Sequence, residues 1–211
     1  MEKRDIRKEV ADNYEVLLSA GVIRKDGGSF SMQFEGELYF PDGQTGPSDL
    51  YGKRIDEKLP EQTPAWCRLH QYLYRQRKDI RVLLTSRLSY TMTAACAGHE
   101  VPPLLDDFAQ LVGVTARVVY VEPTDPVFFR KILKGMRRRN AVLIPQMGGL
   151  CAAASFEDTL AVSQVLEKGC RAYIDTAFLG GGFRISWIES WLMRLVFKFK
   201  YSNLKNKLSG S

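Results

Sequence analysis

The sequence predicts an α/β fold, a single layered domain with helices packed around a central sheet. Three observations predict it. Helix-spaced and strand-like apolar patterns alternate from Pro64 to Phe178. The chain has 211 residues and is 45% hydrophobic, enough for one sizeable core and short of the length that usually divides in two. It carries no internal repeat, no low-complexity stretch and no apolar run of the roughly 18 residues a membrane span requires.

Each element follows from its own pattern. Ile6, Val10, Tyr14 and Leu17 form one apolar stripe, which predicts a helix stopping at Gly21. Phe30, Met32 and Phe34 alternate with polar residues, as do Leu38 and Phe40, and a Glu-Gly turn separates the two runs. They predict a hairpin closed by Pro41-Asp42-Gly43, with a short strand near Leu50. Trp66, Leu69, Tyr72 and Leu73 place a helix between Pro64 and Arg77, and the IRVLL run after it has the β-branched content of a buried strand. A helix through YTMTAACAG, a strand at RVVYV, a helix through VFFRKILKGMRRR and a strand at AVLIP follow in turn. The last core helix runs from Ser155 to about Phe178, because a hydroxyl cap and the carboxylates of Glu157 and Asp158 satisfy its free amides and its dipole. Gly180-Gly181-Gly182 reads as its cap or hinge; a phosphate loop would need a preceding strand and a following Lys-Ser/Thr.

Charge and cysteine usage narrow the function classes. Thirty Lys+Arg stand against 24 Asp+Glu, and much of the excess lies in Arg137-Arg138-Arg139 and in the tail from Arg194 to Lys207. These runs read as solvated faces, since no zinc-finger, RRM or KH pattern accompanies them, and nucleic acid is not an expected partner. Cys67, Cys96, Cys151 and Cys170 are widely spaced and read as small hydrophobes. With a charged N-terminus lacking an apolar signal region, they favour a reducing, cytoplasmic location.

Residues 68–98, RLHQYLYRQRKDIRVLLTSRLSYTMTAACAG, form a unit similar to the class II aldolase/adducin family, of the fuculose-phosphate aldolase type. There a helix with a His and a Tyr-Arg pair precedes the metal-binding strand, and His70, Tyr74, Arg75, Asp79, Arg81, Tyr90 and Ala94 to Gly98 fit. The GVIRKDGGSFS turn resembles the family's Gly-Asn-Ile-Ser segment, and FPDG resembles its Thr-Pro-Ser-Gly. Ser48-Asp49-Leu50 also fits, and AVLIPQMGG resembles its Pro-Asn-His-Gly strand end. The likeness covers roughly residues 4 to 178 and implies a central, mainly antiparallel sheet flanked by helices, in a domain 1–180 followed by a basic amphipathic tail, 181–211.

The resemblance also implies a site, and the site is degenerate. Family members hold a divalent metal, usually zinc, through a His-x-His at the core strand's end and a later His. Those positions align with Thr85, Arg87 and Met147, none of which replaces a neutral imidazole, and a guanidinium repels a cation. The acid/base glutamate's Ser-Ser-Glu segment aligns with Pro64-Ala65-Trp66. The phosphate-holding segments read Gly28-Ser29 and Phe40-Pro41-Asp42-Gly43. No metal and no cofactor are therefore expected.

A modified pocket is expected around Ser29, Asp42, His70, Arg87 and Gln146. His70 also reads as a structural histidine among Trp66, Leu69 and Leu73, Cys67 and Cys151 as packing residues, and His99 as an exposed loop residue. In the tail, Ile188, Trp191, Leu192, Leu195, Val196 and Phe199 share a broad face with Arg194, Lys198 and Lys200 among the remainder. That face packs on a second subunit, in line with the tetramers the resemblance implies, or lies on an anionic membrane. The expected function is non-catalytic: an oligomeric scaffold, a partner of a paralogous subunit or a ligand-sensing module. The alternatives are a metal-independent lyase or isomerase in the old cleft, and a membrane-surface protein acting through its tail.

Overall fold

The computed structural model describes residues 5–25, 27–41, 52–119 and 127–208. The strand near Leu50, the Asp42 turn and the end of the RVVYV run lie outside them. The elements are α1 (Ile6–Ser19), β1 (Ser29–Phe34), β2 (Glu37–Tyr39), β3 (Lys53–Arg54), α2 (Ala65–Gln76), β4 (Val82–Ser86) and α3 (Ser89–Ala97). A π-helical turn, Phe108–Val112, precedes α4 (Phe128–Gly135), β5 (Ala141–Ile144), β6 (Gly148–Ala153), α5 (Phe156–Ala177) and α6 (Trp187–Leu208).

The sheet has six strands in the order β3-β2-β1-β4-β6-β5, and every pairing between neighbours is antiparallel. Its inner strands are buried on both faces. Phe30, Met32, Val82, Leu84 and Cys151 face one core with α1, α3 and α5, while Leu83, Val142, Leu150 and Ala152 face the other with α2 and α4. The β1–β2 hairpin turns through Glu35 at φ 50 and Gly36 at φ 84, the paired positive φ values of a type I′ turn.

Four expectations need correction. GGLCAA forms β6, a central strand whose Gly and Ala content hides it from a propensity-based reading. Gly149 is needed there, because a Cβ would stand 2.5 Å from Leu166 Cδ2 and 2.8 Å from Thr91 Cγ2. Among its described residues the RVVYV run makes only bridges: Val118 pairs with Leu143 in parallel, and neighbouring Ala116 pairs with Val101. The helix expected through Arg139 stops at Gly135, and Arg138 takes φ 60 in the turn beyond it. The two basic runs are not merely solvated, since Arg194 is buried.

Arg194 reaches inward from α6. Its Nη1 donates to the carbonyls of Gln110 and Leu111 at 3.0 and 3.3 Å, and its Nη2 to Asn140 Oδ1 at 2.9 Å. A guanidinium thus satisfies carbonyls of the π-helical turn, where positive charge is favoured. With the polar side of α6 inward, Trp187, Ile188, Trp191, Leu192, Val196 and Phe199 are exposed. No helix among the described residues is long and apolar enough to cross a membrane.

Candidate functional site

Register assembles the first polar group. Ser29 and Ser31 lie two residues apart on β1, so both point to the α2 face, and Ser29 sits opposite Thr85 of β4. Ser29 Oγ donates to Thr85 Oγ1 at 2.7 Å and stands 3.2 Å from His70 Nε2. Ser31 Oγ is 2.7 Å from His70 Nδ1 and 3.0 Å from the Tyr74 hydroxyl, which donates to the Ser31 carbonyl at 2.9 Å. His70 and Tyr74 are one turn apart on α2, and the imidazole bridges two serines of one strand. All five side chains are buried.

Burial with only neutral partners pushes the His70 imidazole down to about 3 and the Tyr74 phenol upward. A neutral imidazole with both nitrogens engaged welds α2 to the sheet. Trp66 closes the group on one side, edge-on to His70 with ring centres 5.3 Å apart and to Phe40 at 5.5 Å. Of the residues expected around a modified pocket, Ser29 and His70 are buried in the core.

The metal-aligned positions lie where β4 ends and β5 turns into β6. Thr85 is buried and uses its hydroxyl oxygen as the acceptor for Ser29. Met147 packs its side chain against the cluster that holds Leu83, Ile144 and Leu150. Half-buried Arg87 lies across Gly27, where an added Cβ would come 2.8 Å from its Cδ and 2.9 Å from its Cζ. Gly27 thus leaves room for the Arg87 side chain.

A hydroxyl, a guanidinium and a partly buried thioether do not fit a divalent zinc-like ion. The whole chain contains two histidines, His70 and His99, so one chain cannot supply three imidazoles. Gln146 is exposed in the β5–β6 turn at φ 64, and Asp42 lies outside the described residues. Neither Cys67 nor Cys151 is an activated thiol: burial drives Cys67 up to about 12 and Cys151 higher still. His99 is exposed.

The chain belongs to the class II aldolase and adducin N-terminal domain family, whose model matches residues 43–174. Among its relatives, a 5-deoxy-D-ribulose 1-phosphate aldolase of Bacillus thuringiensis serovar kurstaki is 24% identical over 189 residues, covering 82% of this chain and 86% of the relative. An L-fuculose 1-phosphate aldolase structure superposes with a TM-score of 0.76 at 19% identity, covering 94% of this chain and 98% of that one. The L-fuculose-1-phosphate aldolase from Thermus thermophilus superposes with a TM-score of 0.67 at 15% identity, covering 85% of this chain and 98% of that one. At these identities the superpositions establish the fold alone.

Proposed function

We propose that this chain is a non-catalytic member of its family, an oligomeric scaffold, partner subunit or ligand-sensing module that keeps the aldolase-like fold without the metal chemistry. The carrying observation is the end of β4, where Thr85 is committed to Ser29 and Arg87 fills the space over Gly27. The buried, neutral His70 supports the same reading, because it offers no exposed nitrogen for proton transfer. Self-association draws support from the outward apolar residues of α6. A cytoplasmic location accords with three buried, unbridged cysteines and a fourth that is free and exposed.

The test is elemental mass spectrometry of tag-free protein after soaking in excess zinc and desalting. Substoichiometric zinc is the expected result. One tightly held zinc per chain overturns the reading and directs the protein to aldehyde-lyase assays on sugar phosphates, the substrates named for its relatives.

A further inference from the structure

At the opposite end of β5 from Met147, the two basic runs of the sequence converge on one cavity. Its volume is about 520 Å³, within the range of small-molecule sites. Arg117, Lys134, Arg137, Arg138, Arg139 and Arg194 line it, and Trp187 and Trp191 of α6 form an apolar wall. None of the described residues that line it is acidic. We infer that this cavity is a binding site for a multiply charged phosphate group, carried by a small molecule or by a lipid headgroup.

The fold gathers these cations at some cost to itself. Burial, then the neighbouring Arg77 and Arg139, pull the Arg194 guanidinium down to about 10, and burial with Arg117 lowers Arg139. Arg139 is fixed by Nε donating to the Thr115 carbonyl at 2.8 Å, and Arg194 by its three bonds to the π-helical turn and Asn140. Two guanidinium groups are therefore held in place before any ligand arrives. Arg138 holds φ 60, a backbone region that a non-glycine residue rarely occupies, in the turn that presents the Arg137–Arg139 run to the cavity.

Among the described residues, nearby acids offset little of this charge. Arg117 and Glu100 are 3.9 Å apart with both side chains about half exposed, and Asp79 is engaged by Arg77 at 2.6 Å. A phosphate would accept charge-assisted hydrogen bonds from several guanidinium groups at once and relieve their mutual repulsion. The tryptophan wall suits an ester whose organic part is aromatic or apolar. This site is independent of the metal-aligned positions at the far end of the strand.

The experiment titrates inorganic pyrophosphate into the full chain by calorimetry and by tryptophan fluorescence, since Trp187 and Trp191 line the cavity while Trp66 lies in the core cluster beside His70. The expected result is saturable binding to one site per chain. A Lys134→Ala/Arg138→Ala variant, in which two exposed side chains are shortened, should bind at least about tenfold more weakly while melting at the wild-type temperature. Arg137→Ala, at a third exposed position, should weaken binding to a lesser degree and serves if the double variant melts early. Sedimentation with phosphatidylcholine vesicles containing phosphatidic acid distinguishes the sources. Co-sedimentation that pyrophosphate reverses assigns a lipid headgroup, and pyrophosphate binding without co-sedimentation assigns a soluble phosphate ester. Absence of saturable binding to either probe, or equal affinity in wild type and variants, overturns the proposal.

Discussion

Ser29 and Thr85 face each other across β1 and β4 with their hydroxyl oxygens 2.7 Å apart in the buried interior, so one strand supplies the donor and the other the acceptor. Thr85→Val keeps the shape and removes the acceptor. The expected loss is about 1–3 kcal/mol, read as a fall of about 2–4 °C in Tm for each kcal/mol. Ser29→Ala combined with Thr85→Val should cost less than the two single changes together, because once one hydroxyl of the pair is gone, removing the other orphans nothing further between them, and the contact of Ser29 with His70 Nε2 is lost only once. Strict additivity in urea unfolding would show that the pair is not coupled.

His70 makes stability depend on pH. Its folded value is about 3 against an ordinary value of 6.5, so the unfolded chain binds a proton that the folded chain refuses between those limits. The resulting stability is fully present above the ordinary value and is lost as pH falls through the window. Urea midpoints should therefore drop from pH 7 to pH 4.5, with this group contributing up to about 1.4 kcal/mol per pH unit. His70→Gln retains an amide for the serines and cannot titrate. It should flatten that slope, and an unchanged slope would assign the pH dependence to other groups.

The fold was legible wherever local chemistry and tertiary structure agree. Glu35-Gly36 announces its turn, Ser155 its helix, and IRVLL its buried strand. The misses arise where tertiary packing decides. Gly148-Gly149-Leu150-Cys151 has little strand propensity, yet it lies between β4 and β5 because only glycine tolerates the approach of Leu166 and Thr91. RVVYV has the propensity, but its described residues bridge to the outer edge of β5, with Val119 N–H donating to the Leu143 carbonyl at 2.9 Å. At the site, matching the sequence to the family pattern singled out Thr85, Arg87 and Met147 as the positions to inspect. It offered His70 both as a pocket residue and as a structural histidine, since helical spacing does not distinguish a wall from a cleft, and the ring is buried. Nor could separate basic runs, at Arg137 and Arg194, announce that they meet in space.

Gly149→Ala tests the close approach directly. The added methyl meets Leu166 and Thr91 from two packed helices at once, so neither can yield freely. Overpacking of this kind costs about 1–3 kcal/mol. A variant that melts within a degree of wild type would mean that α3 and α5 shift to accommodate it.

Glu167 extends from α5 to the start of α3, where Oε1 accepts from Tyr90 N at 2.9 Å and Oε2 from Thr91 N at 2.7 Å and Thr91 Oγ1 at 2.8 Å. A carboxylate from another helix thus serves as the cap that Leu88 lacks. Glu167→Ala should destabilise by about 1–3 kcal/mol, and Glu167→Gln by less, since one acceptor oxygen remains while the other, and the charge facing the helix dipole, are lost. Equal losses in thermal melts would mean that the single remaining acceptor oxygen contributes nothing without the full carboxylate.

The exposed side of α6 tests the oligomeric reading. Leu192 is 52% and Val196 56% exposed, one helical turn apart, while Arg194 anchors the other side of the helix. Burying such a stripe against a second copy removes apolar area at about 25 cal/mol per Å², whereas the inward contacts of α6 do not use it. Leu192→Asp with Val196→Asp should therefore leave Tm unchanged at low protein concentration and lower the mass measured by light scattering to that of one chain. If wild type is already monomeric at micromolar concentration, self-association through this face fails. If the paired aspartates instead collapse the melt, the stripe packs within its own chain.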